Sequence, residues 1–180
     1  TRRAGRRAPG GRADDERTHM STNDPRRQEA QDVEPEPISP ELEGMANDLI
    51  DICLDELAER GSLLTTLCVE NAQGDRVTLT FDDIAVEECI EKARDTVTAA
   101  RRKADVIDGL RGKPVRYAIA YDGAIREREG GPYLNALIVE YGEVGLSSAY
   151  SAYLLYKKAG HPKDFVCSDP TAAGEMPLLV

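Results

Sequence analysis

Between Ser39 and Gly61 the apolar residues recur at helical spacing: Leu42, Met45, Ala46, Leu49, Ile52, Cys53 and Leu57 line one side. Ser39-Pro40-Glu41 puts a capping hydroxyl, a proline at the first helical position and an early acid in order, and Gly61 supplies the stop. Ile50 and Leu54 widen the apolar arc to roughly 200° at about 100° per residue. One sheet contact needs less than that. The Ile50/Leu54 edge is therefore expected to be covered by a second helix of the chain or by another subunit.

Leu63 to Glu70 and Arg76 to Phe81 are short segments rich in Val, Thr and Leu, and the Gly- and Asn/Asp-containing stretch Asn71 to Asp75 joins them as a hairpin. In the second strand Val77, Leu79 and Phe81 alternate with Thr78 and Thr80, which buries one face. Asp82-Asp83 then predicts the start of the longest helix, running to about Ile107 and ending in Arg101-Arg102-Lys103 as the macrodipole prefers. Val86, Ile90, Ala93, Val97, Ala100, Ala104 and Ile107 form a narrow seam expected to lie on the sheet or on the first helix.

Val115 to Ile125 alternates as a strand, and Leu134 to Tyr141 is nearly continuously apolar, as suits a central strand covered on both faces. Ser147 to Lys158 fits a helical face and a strand almost equally. A strand is preferred because a meander through Gly-rich turns is the simpler geometry and no helix cap is evident. Phe165-Val166-Cys167 predicts a short last edge strand. The order α-β-β-α-β-β-β predicts an α+β fold, a predominantly antiparallel sheet of about five strands with two helices stacked against it. Over about Ser39 to Lys158 this order resembles that of the Roadblock-like and profilin-like adaptor domains. The resemblance lies in element order alone and transfers no site residue.

Composition adds boundaries. Residues 1–37 are polar and Arg- and Pro-rich, with too little apolar surface to offset ordering entropy, and are expected to be a disordered arm. Met20-Ser-Thr-Asn-Asp-Pro reads as a beginning, which would make residues 1–19 an upstream extension. Residues 38–169 are expected to form a single domain and 170–180 a C-terminal tail. The net charge is -10, and Ile38 to Val180 alone holds 15 Lys and Arg against 25 Asp and Glu. So acidic a domain repels phosphate backbones and anionic membrane surfaces, which argues against nucleic-acid and membrane partners. No apolar run approaches the roughly 20 residues that cross a bilayer, and no apolar stretch follows the N-terminal charges as a secretory leader would require, so a cytoplasmic location is expected.

Candidate chemistry is sparse. Cys53, Cys68, Cys89 and Cys167 lie 15, 21 and 78 positions apart, too far for a zinc knuckle or redox dithiol, and are expected to be reduced structural thiols. With only His19 and His161, no site needing several imidazoles can be built, so neither a metal nor a cofactor is expected. Gly109 to Pro114 is too short for a phosphate loop, and no G-x-S-x-G turn occurs. A small enzyme would draw on a pocket of Asp122, Glu140 and Glu143 with one or more tyrosines. A two-carboxylate nuclease would need a lysine two positions after Glu140, where Gly142 stands.

The seven tyrosines all fall between Tyr117 and Tyr156. Tyr117 and Tyr121 share one strand face, and Tyr133 and Tyr141 share parity on the next. A tyrosine face offers large apolar area with polar tips, which suits protein recognition. The leading expectation is a non-enzymatic, self-associating interaction module, a homo-oligomer or the binder of a protein partner. Its contacts would be Ile50 and Leu54 or Tyr117, Tyr121, Tyr133 and Tyr141; the alternative is the small enzyme.

Overall fold

The computed structural model describes residues 36–82 and 85–180. Helix α1 spans Pro40–Arg60 and α2 Val86–Arg102; the strands are β1 Thr65–Asn71, β2 Arg76–Phe81, β3 Pro114–Ile125, β4 Leu134–Glu143, β5 Ala149–Lys157, β6 Val166–Cys167 and β7 Thr171–Met176. The order α-β-β-α-β-β-β holds, and Ser147 to Lys158 contains a strand. The antiparallel sheet has seven strands where about five were expected, in the order β2-β1-β3-β4-β5-β6, with β7 also pairing β5.

The two helices take opposite faces of the sheet. Strand alternation sends Cys68, Ala118, Ala120, Leu137, Val139, Leu154 and Tyr156 to one side, where they meet Leu42, Met45, Leu49, Cys53 and Leu57 of α1. Leu67, Val69, Tyr117 and Ile119 go to the other, under Ala93, Val97 and Ala100 of α2. The alanine-rich seam of α2 thus lies on the sheet, and the alanines permit the close approach.

Local signals explain the ends of α1. The Ser39 hydroxyl accepts from the Leu42 N–H at 3.1 Å, Pro40 opens the helix, and Gly61 takes the left-handed conformation that donates its N–H back to the Leu57 carbonyl. The β1–β2 turn is a type of hairpin that needs a left-handed residue, supplied by Gly74 at φ 84°; the Asn71 carbonyl accepts from Gly74 and its N–H donates to Asp75.

Two expectations are corrected. Helix α2 ends at Arg102 and not near Ile107: beyond Lys103 the chain turns, with Asp105 at φ 58° and its carboxylate accepting from the Gly112 N–H. Ile107 is nevertheless buried in the α2-side core, because the loop tucks it in together with Leu110. Residues 170–180 are no free tail: β7 pairs β5, and Leu178, Leu179 and the buried Val180 fold onto the α2 side. The expected disordered arm of residues 1–37 lies outside the described residues except at its end, where the Glu36 carboxylate accepts from the Ser147 N–H and its carbonyl from the Tyr150 hydroxyl. No helix among the described residues is long and apolar enough to cross a membrane.

Candidate interaction surface

The register between β3 and β4 decides which side chains share a face. Tyr117 lies opposite Gly142, Ile119 opposite Glu140 and Tyr121 opposite Ile138. Odd positions of β3 therefore join even positions of β4 on the α2 side. Arg116, Ala118, Ala120 and Asp122 join Glu143, Tyr141, Val139 and Leu137 on the α1 side.

On the α2 side Glu140 is buried and doubly held: Arg94 donates from Nη2 at 2.5 Å and from Nε at 3.0 Å, and the Tyr121 hydroxyl donates at 2.8 Å. Those hydrogen bonds drive the Arg94 pKa up, while burial, reinforced by the Glu140 charge, drives the Tyr121 hydroxyl up. Tyr117 is 1% exposed, and burial pushes its hydroxyl up to about 12 against a hydrogen bond with the Leu179 backbone.

On the α1 side the acids are spoken for as well. Asp122 accepts from the Tyr156 hydroxyl at 2.7 Å. Glu143 accepts from the N–H and hydroxyl of Ser39 at 2.7 and 2.6 Å and lies 3.4 Å from Arg116. Buried Glu70 binds Arg116 and Arg76, and Arg76 reaches on to Asp48. Asp122 and Glu143 thus stand on one face and Glu140 on the other. The sheet lies between them, and the three do not converge on a pocket.

The remaining sequence-derived residues disperse too. Ile50 is 8% exposed inside the α1-side core and Leu54 packs half-buried against it, so this edge of α1 is met within the chain, whereas Ile52, expected on the same stripe, is 57% exposed. Tyr141 is on the α1 side, its ring 6.3 Å from Tyr150. Tyr133, 67% exposed, precedes β4 and carries the Arg126 guanidinium 4.3 Å from its ring centre. Of the seven tyrosines, Tyr117, Tyr121 and Tyr153 belong to the α2 side and Tyr141, Tyr150 and Tyr156 to the α1 side.

What the register does assemble is an apolar row. Tyr121, Ile138 and Tyr153 are directly opposite one another across β3, β4 and β5, and Gly123, Ala136 and Leu155 form the next row. Helix α2 lies over β1 and β3, and Leu178 covers the Gly142 end of β4. Ile138, Tyr153 and Leu155 are only half-buried and belong to neither core cluster. Gly123 keeps this surface low, since a Cβ there would stand 2.8 Å from the Ile138 Cδ1, so the isoleucine lies across β3. The Arg94–Glu140 pair borders the row on the α2 side.

Periodicity does not single out Ile138, Leu155 or Arg94, and it places Tyr153 on a helical face as readily as on a strand. One signal was available: Glu140 is the lone acid inside an apolar run, and a buried acid requires a cationic or hydroxyl partner. Cys53, Cys68 and Cys89 are buried, Cys167 is exposed, and all four are free; burial pushes the Cys53 thiol up to about 12. Among the described residues no group of three or more His, Cys, Asp or Glu is placed to hold a metal ion. No protein family, characterised protein or solved structure matches the chain.

Proposed function

We infer that the chain is a non-enzymatic, self-associating protein-interaction module of the cytoplasm. The observation that carries this reading is the half-buried row Tyr121–Ile138–Tyr153 with Leu155, an apolar sheet surface that neither helix among the described residues covers, beside a fully paired carboxylate. Apolar area with a polar, satisfied border is the make-up of a contact surface. Glu140 and Glu143 spend both oxygens, and Asp122 one, on partners of the same chain, which supports binding over acid–base catalysis. Seven acids stand on α1 against the single base Arg60, so electrostatic steering favours a basic protein as partner and disfavours nucleic acid.

Solution mass tests the reading. Light scattering over a hundredfold range of protein concentration at two salt levels should give a dimer or larger species. A monomer throughout would overturn self-association.

A further inference from the structure

The geometry points to a second copy of this chain pairing antiparallel with the outer edge of β2, centred on Leu79. This rests on the self-association proposed above and adds to the sheet-face row a second contact, at the strand edge. Among the described residues β2 ends the sheet, with no strand on its outer side. The β1–β2 ladder runs unbroken from Glu70 opposite Arg76 to Thr65 opposite Phe81. The hydrogen bond from the Asn71 N–H to the Asp75 carbonyl fixes its phase. Val77, Leu79 and Phe81 therefore bond to β1, while Thr78 and Thr80 turn their N–H and C=O groups outward.

This edge lacks the usual defences. Arg-Val-Thr-Leu-Thr-Phe contains no proline, glycine or bulge and one charge. At the other margin β7 is broken by Gly174 at φ 145° and by a register shift between Ser151 and Ala152. Val77, Leu79 and Phe81 are half-buried at the rim of the α2-side core, so a neighbouring strand would complete their burial.

Set against itself, β2 is self-complementary in one register. With Leu79 on a two-fold axis, Leu79 faces its own copy and Val77 faces the second copy's Phe81. On the opposite face Thr78 meets Thr80, and Arg76 meets Asp82. Apolar–aromatic, Thr–Thr and opposite-charge pairs are the combinations that stabilise a sheet. The register also places Thr78 and Thr80 as the hydrogen-bonded pair, as their outward groups require. Arg76 already bridges Asp48 and Glu70, so the second copy's Asp82 would join an ordered cation.

The full chain carrying Thr78→Lys and Thr80→Lys should test it, because both side chains are exposed and each lysine would face the other across the axis. The dimer should weaken roughly tenfold or more with an unchanged circular dichroism spectrum. Thr171→Lys with Ala173→Lys, on the exposed strand β7 at the other margin of the sheet, should leave dimerisation intact. Register is read by cross-linking in a Cys167→Ser background, which removes the exposed native thiol. Leu79→Cys should form an intermolecular disulfide on oxidation and Val77→Cys should not, since only residue 79 meets its own copy. If the β2 lysine pair leaves the dimer unchanged, or residue 77 cross-links as readily as 79, the β2 assignment falls while self-association stands. If the unaltered chain is monomeric at every concentration, both fall.

Discussion

Arg94 of α2 and Glu140 of β4, 46 positions apart, form a two-pronged ion pair across the α2-side interface, with the carboxylate buried and the guanidinium partly open to solvent. Burial makes the pair asymmetric to mutation. Arg94→Met should cost about 3–5 kcal/mol, because it strands a carboxylate whose other partner is the Tyr121 hydroxyl. Arg94→Met together with Glu140→Met should recover most of that loss, since two apolar side chains replace two desolvated charges. Urea denaturation of both single variants and the double variant measures the coupling; strictly additive losses would refute it.

Glu143 fixes the start of α1 from a distance of 104 residues, by accepting from both the N–H and the hydroxyl of Ser39. Ser39→Ala removes the cap and should cost about 1 kcal/mol. Glu143→Ala should cost more, because it also leaves Arg116 with one carboxylate, Glu70, in place of two. Amide exchange should rise first at Leu42 to Met45 in both variants. Unchanged exchange there would mean that core packing alone orders this turn.

Stability should fall on the alkaline side. Burial raises the Cys53 thiol from 9.0 to about 12, raises Cys68, lifts Tyr117 from 10.0 to about 12, and moves Tyr121, Tyr141 and Tyr156 upward. Each group stays protonated in the folded chain after it would ionise in the unfolded one. Its contribution is therefore complete below the unfolded value and is lost as pH climbs toward the folded value. The window opens near pH 9 for the thiols and near 10 for the phenols. Tyr117 alone accounts for about 2–3 kcal/mol. Unfolding free energies taken at half-unit steps from pH 8 to 11 should be flat and then decline, with a shallower decline for Tyr117→Phe.

Much of this fold was legible because its signals are local. The Ser39-Pro40 start, the Gly61 stop and the Asn71–Asp75 turn each depend on a few neighbouring residues. Strand β7 was not legible, since Thr171–Met176 is exposed on both faces and carries no alternation to read. The seam of α2 ran through Ile107 because a loop and a helix can fill the same core. The tyrosines illustrate the deeper limit. Parity places Tyr117 and Tyr121 together within β3, but only the register, which sets Tyr117 against Gly142 and Ala118 against Tyr141, sends Tyr141 to the opposite face. A one-residue slip would have brought Glu140 to the Asp122 side, but Glu143, three positions further along the same strand, would then have crossed to the other, so no register unites all three acids. Register is a property of two strands and their connection, so no single-strand pattern contains it.

Gly142 offers a direct test of how the C-terminal segment is held. A Cβ there would lie 2.8 Å from the Leu178 Cδ1, 3.1 Å from the Tyr117 Cε1 and 3.2 Å from the Ala149 Cβ. Replacing a strand glycine by alanine ordinarily gains about 0.5–1 kcal/mol of backbone entropy. Here Tyr117 and Ala149 are fixed in the core, so the movable neighbour is Leu178, and moving it lifts the segment that buries Val180. Overpacking of this kind costs about 1–3 kcal/mol, so Gly142→Ala should be net destabilising and should speed proteolysis beyond Met176. Leu178→Ala vacates the contested space at the expense of its own burial. In the Gly142→Ala background it should therefore cost clearly less than in the unaltered chain. Equal costs in the two backgrounds would mean that residue 142 and Leu178 do not meet, and that β7 alone anchors the segment.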